Sequence, residues 1–290
     1  MIKKARNIFF EYFYTLVETI VNEDFANAAS EMAFMMAIGI FPFMLFLMGT
    51  FGWLGKKFFV TKILAALSTI APNEVINLIQ TVLGEFVLFQ KDGTVAIIGF
   101  IVTLFLAHNA IATIIKGLNR ANRVVENRNF FEVRLLALVM VIVHAFLLFI
   151  SVNLIIFGKV IVTFLNEYGF ISDTIMNCLL VTRWPVAFLM LLLLAVMNYY
   201  VLPARDYSAV RKSVLPGSIF FCVFWLLGSW GFSLYINEFG TYNKVYGTIG
   251  AFAILMAWLY FTSLILLIGG AINNQTLDKL SSDKLPEIQD

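Results

Sequence analysis

The chain has 290 residues, of which 61% are hydrophobic and only 13% charged, with a net charge of +2 and a mean hydropathy of +0.89. Soluble domains carry about 25% charged residues, so this composition excludes an ordinary water-soluble enzyme and a nucleic-acid binder built on a basic surface. Six apolar runs dominate it, at 32–55, 94–115, 135–157, 184–202, 214–236 and 247–272. Each holds about 19–26 residues, and a helix needs about 20 to cross the hydrocarbon. Backbone groups find no partner in lipid, so such runs form helices, and continuous rather than alternating apolarity excludes a barrel. The expected fold is an all-α integral membrane protein with six transmembrane helices in one domain (1–280) and a polar tail (281–290).

In chain order, Lys3, Lys4 and Arg6 come first, but Glu11, Glu18, Glu23 and Asp24 interrupt any signal-peptide core, so no cleaved leader is expected. Glu11, Thr15, Glu18 and Asn22 recur at helical spacing opposite Phe9, Phe13, Leu16 and Ile20. That pattern suits an amphipathic helix, either lying on the inner membrane face or packed on the protein. The first span carries a small-residue ridge, Ala29, Ala33 and Ala37, suited to close packing, with Glu31 placed just before it. Pro42, in its middle, removes a backbone hydrogen bond and is the expected hinge. In the long first external loop, Leu64–Phe89 reads as two short amphipathic helices joined at Pro72. Pro185 and Pro216 are expected in the first turns of the fourth and fifth spans, and Pro203 just after the fourth.

Basic residues gather on one side of this topology. Lys3, Lys4 and Arg6 precede the first span, Lys116, Arg120, Arg123, Arg128 and Arg134 follow the second, and Arg205, Arg211 and Lys212 follow the fourth. The positive-inside bias places both termini in the cytoplasm. Cys178 and Cys222 have neither metal nor redox spacing and read as free thiols.

Polar residues inside spans are the candidates for function. His108 and Asn109 lie in the second span and His144 and Asn153 in the third. The two histidines fall at similar depth in adjacent antiparallel helices, which suits a facing pair that relays protons or lines a cavity. The same residues also suit simple hydrogen bonds that join helices. Asn109, Lys116, Arg120 and Arg123 are spaced to share one face of a helix that continues out of the membrane. Such a basic stripe fits an anionic head group, and equally a general attraction to anionic lipid. Ser229 and Ser233 share a face of the fifth span, lining a cavity or bonding to the sixth helix. No P-loop, H-E-x-x-H or G-x-S-x-G occurs, and two histidines do not build a usual metallohydrolase centre. No cofactor, metal or catalytic residue is expected.

The segment Tyr242-Asn243-Lys244-Val245-Tyr246-Gly247-Thr248-Ile249-Gly250, then Trp258-Leu259-Tyr260 and Gly269-Gly270-Ala271-Ile272-Asn273, resembles the signature of the YihY/BrkB family of membrane proteins. Ala29, Ala33-Phe34 and Phe41-Pro42 look like its first-span motif. The resemblance implies a six-helix bacterial inner-membrane protein with cytoplasmic termini. It also brings an older label, ribonuclease BN, for which this chain offers no metal ligands. Where the family often has an acidic residue in its last helix, this chain has Ala271. The function expected is therefore a transporter or flippase-like protein that binds or moves an amphipathic anion, a lipid in particular. The alternative is a non-transporting scaffold or assembly factor of the cell envelope. Expected partners are anionic membrane lipids and not nucleic acid, and the apolar helix surfaces also leave room for a homo-oligomer.

Overall fold

Lipid offers backbone N–H and C=O groups no partner, and this chain meets that constraint with helices that close their own hydrogen bonds. A computed structural model describes residues 2–53, 93–204, 214–238 and 242–282, and all regular structure among them is helical. The helices are α1 (Ile2–Asn22), α2 (Phe25–Trp53), α3 (Gly93–Ala121), α4 (Phe130–Glu167), α5 (Asp173–Val201), α6 (Val214–Glu238) and α7 (Tyr242–Ser282). Six of them, α2 to α7, hold a stretch long and apolar enough to cross a membrane. The two helices expected in the first external loop lie outside the described residues.

The spans follow one another around a closed ring. Each packs on the next from α2 to α7, α7 returns to α2, and α7 also meets α3. Outside the ring, α1 packs against α7 and α2. Phe100, Phe105, Phe146, Phe149 and Trp230 point outward, as expected of side chains that face lipid tails.

Several boundaries differ from the sequence reading. The fourth span begins at Asp173 rather than Trp184, because Ser172 caps it with a side chain that accepts from the backbone N–H of Ile175. Pro185 therefore lies inside α5 and not in a first turn. A proline within a spanning helix is tolerated where neighbouring helices and local adjustments re-satisfy the freed backbone carbonyl. Pro216 does sit in the first turn of α6, and Pro203 follows the end of α5. Pro42 lies within α2, which runs on to Trp53. Glu31 is inside α2 rather than before it, and Arg134 is inside α4 rather than in a loop.

The α1 helix has three faces rather than two. Leu16, Thr19 and Ile20 turn to the bundle, and Tyr12 Oη reaches Thr276 Oγ1 on α7 at 3.1 Å. Phe10, Phe13, Tyr14, Val17 and Val21 form an exposed apolar stripe on another face. Glu11, Glu18 and Asn22 are exposed on the third.

Packing rests on small residues. Ala29, Ala33 and Ala37 are at most 1% exposed. Ala29 packs with α3 residues such as Ile115 and Leu118, while Ala33 and Ala37 meet Leu255 and Leu259 of α7. Gly117 lets α3 press between Met32 and Leu267. Gly217 of α6 lies against the carbonyl of Gly269 and the side chain of Asn273, and its N–H donates to Asn273 Oδ1 at 2.7 Å. Gly269 in turn faces the Tyr199 hydroxyl, which donates to the Leu266 carbonyl at 2.9 Å.

A methyl group at Gly217 would overlap backbone, whereas nothing lies within 4 Å of one at Gly231. Gly217→Ala is expected to cost about 1–3 kcal/mol and Gly231→Ala to be neutral or slightly stabilising. Thermal unfolding of both variants in one detergent checks this, and equal midpoints would contradict it.

Candidate functional site

Polar side chains concentrate at the end of the bundle where α1 packs. There α3 stops with a Schellman pair: the N–H of Arg123 donates to the Arg120 carbonyl at 2.9 Å, and that of Val124 to the Asn119 carbonyl at 3.0 Å. The residue after such a helix end adopts left-handed backbone and is normally glycine. Gly169 plays that part after α4, with φ 74°. After α3 the position is taken by Arg123, with φ 52°. A side chain held there against its backbone preference points to a task for that side chain. Its Nη2 donates to Thr19 Oγ1 of α1 at 3.0 Å, and its Nε lies 3.6 Å from Glu23.

Beside this turn opens a cavity of about 570 Å³ lined by Lys116, Arg120 and Arg123, by Glu23 and Glu126, and by apolar walls that include Ile115, Val124 and Val133. Three of the stripe residues expected from sequence are thus brought together. Lys116 pairs with Glu31 of α2 at 2.9 Å. Glu126 pairs with Arg128 at 2.7 Å and accepts from Asn119 Nδ2 at 2.9 Å. Arg128 continues to the Leu202 carbonyl at 2.8 Å, and Asn119 accepts from the Ala204 N–H at 2.8 Å, so this network ties α3 to the end of α5. Arg120, half-buried, has no ion pair among the described residues. The Arg128 guanidinium holds the Glu126 carboxyl below the usual carboxylate range, against the opposing pull of partial burial.

Asn109 does not line this cavity. Its Oδ1 accepts from Arg134 Nη1 of α4 at 3.1 Å, and the same nitrogen lies 3.2 Å from His108 Nδ1. Arginine has no acceptor, so His108 receives that bond. The Nδ1 of His144 donates instead to the Met140 carbonyl at 2.7 Å. The two histidines therefore have separate partners, and no hydrogen bond joins them among the described residues. Ser229 accepts from Trp258 Nε1 at 3.2 Å, which makes it a link between α6 and α7. Ser233 is half-buried. Asn153 lies in α4 where side chains are outside the described set.

Residues 16–287 match the family model described as virulence factor BrkB. The chain belongs to that family. It is 29% identical over 247 residues to YfkH of Bacillus subtilis, which is called ribonuclease-like, covering 85% of this chain and 88% of YfkH. It is 33% identical over 78 residues to a UPF0761 membrane protein of Xanthomonas campestris, covering 27% of this chain and 18% of that protein. A UPF0761 membrane protein of Pseudoalteromonas translucida is 29% identical over 94 residues, covering 32% of this chain and 30% of its own. No solved structure matches.

The residues that carried the BrkB resemblance are mostly packing residues. Trp258 bonds Ser229 and sets its ring 5.8 Å from that of Trp225. Gly269 and Asn273 form the contact with α6 and Tyr199, Gly250 is buried, and Ala271 is 1% exposed in the core. Tyr242, Tyr246 and Gly247 belong to the first turns of α7, which starts at Tyr242. Among the described residues, no three His, Cys, Asp or Glu side chains gather as a metal site.

Two predictions follow from the α3 turn. Relieving left-handed strain is worth about 1–2 kcal/mol, so Arg123→Gly should unfold at a higher temperature than Arg123→Ala, and the reverse order would contradict the strain. The Glu126–Arg128 pair contributes stability above the ordinary carboxylate range and loses it as pH falls through the depressed value. Unfolding temperature should thus drop more on acidification for the parent than for Glu126→Gln, and parallel pH curves would contradict it.

Proposed function

We propose that this membrane protein binds, and carries between leaflets, an amphiphile with an anionic head group, with the cavity beneath Arg120 and Arg123 as the docking site. The observation that carries the reading is the Arg120 guanidinium, set in a cavity wall with no ion pair among the described residues, while its neighbours Lys116 and Arg123 have carboxylates. Guanidinium forks suit phosphate and carboxylate. The apolar walls suit the start of an acyl chain, and the volume falls in the range of about 300–1,000 Å³ usual for ligand sites. The concentration of basic residues supports a cytoplasmic position for this end of the bundle and for both termini. The bacterial relatives support the cytoplasmic membrane as its location.

Replacing Arg120 disturbs no ion pair among the described residues and should leave the fold intact. Arg120→Gln is expected to weaken binding of a short-chain anionic phospholipid by about ten- to hundredfold, the worth of one charged hydrogen bond, and to leave a zwitterionic analogue unaffected. Titration of purified protein with both lipids checks this. Equal affinities for parent and variant would overturn the reading.

A further inference from the structure

Arg134 is a charged residue whose place no ion pair among the described residues explains. It stands four residues into α4, within a stretch apolar enough to span the membrane. A cation inside a span is costly, the more so the deeper it lies, and usually pairs with an acid or with backbone carbonyls. The nearest acid along the chain, Glu132, is engaged elsewhere. Its carboxylate accepts from the N–H of Asn129 at 3.1 Å, which caps the start of α4. No carboxylate is among the described partners of Arg134, which are His108, Asn109 and the ring of Phe130, 5.0 Å from the guanidinium carbon.

Those partners orient the group without cancelling its charge. His108 and Asn109 both take Nη1, while Nε and Nη2 make no hydrogen bond among the described residues. The pair left open is the edge that grips two oxygens of one anion. Arg134 stands next to the cavity already described, without being part of its lining. Val133, the residue before Arg134, and Ala112, one turn of α3 from Asn109, both line it. Along α3, Asn109 lies about 16 Å from Arg120 by helical rise, with Lys116 between them.

We propose that Arg134, positioned by His108 and Asn109, is a second anion subsite, deeper in the membrane than Arg120, that receives a phosphate or carboxylate group. The inference rests on the proposed function and adds a path: an anion taken up at Arg120 passes along α3 toward Arg134, with Lys116 held ready by Glu31. His108 and Asn109 are positioning residues, since they act through the guanidinium.

The test is affinity for dihexanoyl phosphatidylglycerol and for inorganic phosphate, measured on parent, Arg120→Gln, Arg134→Gln and Arg134→Lys. Arg134→Gln should weaken the lipid about tenfold, and Arg134→Lys, which keeps the charge but not the fork, should weaken it severalfold. Loss of affinity for the lipid alone identifies a lipid head group as the ligand, and parallel loss for inorganic phosphate identifies the free anion. Loss in Arg120→Gln with none in either Arg134 variant would make Arg134 a link between helices and overturn this inference alone. No loss in any variant would overturn the proposed function with it. If an Arg134 variant does not fold, the parent is photolabelled with a lipid carrying a diazirine in its head group. Labelled peptides around Asn109 and Arg134 support the subsite, and labelling confined to other segments overturns it.

Discussion

Lipid tails are as apolar as leucine, so helices in a bilayer gain little by merely hiding leucine from their surroundings. They associate where small residues let backbones approach and dispersion contacts multiply. Here that condition is met by Ala29, Ala33 and Ala37 on α2, Gly117 on α3, and Gly217 against Gly269 between α6 and α7. These contacts converge on α7, which meets α2, α3, α6 and α1. With the ring closed at this end, the side chains too large or too polar for the crossings are gathered beside them. The site is a consequence of where the glycines and alanines are.

The polar end then obeys a second constraint, that charge near lipid must be compensated. Lys116 has Glu31, Arg123 has Glu23 and Thr19, and Arg128 has Glu126. Lys116, Arg123 and Arg128 are thus structural, and they explain how α1, α2, α3 and the end of α5 are tied. Arg120 and Arg134 depart from the pattern, one in the cavity wall and one bonded to His108 and Asn109 of α3. The backbone strain at Arg123 belongs to the same picture, since it sends a guanidinium toward α1 where glycine would have sent none.

The number and approximate place of the spans were legible because run length largely decides them. The stripe of Lys116 and Arg120 was legible because α3 keeps helical spacing beyond the membrane. Arg123 obeyed a different rule, since it lies past the helix end, and an arginine at a left-handed cap leaves no signature in sequence. Arg134 was hidden by a boundary error. The apolar run begins at Leu135, yet Asn129 and Glu132 form the cap that starts α4 five residues earlier, and that spacing could have revealed it. The same kind of error put Pro185 at a helix start when Ser172 and Asp173 held the true one. The pairing of His108 with Arg134 rather than His144, and of Ser229 with Trp258, depends on helix rotation, which a near-uniform apolar sequence does not encode.

The most direct test is movement itself. Purified protein is reconstituted into liposomes that carry fluorescent phosphatidylglycerol or phosphatidylcholine, and exchange between leaflets is followed by quenching from outside. The account predicts exchange of the anionic lipid well above protein-free liposomes, with the zwitterionic lipid lagging. Exchange at background for both, by protein that remains folded, would contradict it and favour a scaffold.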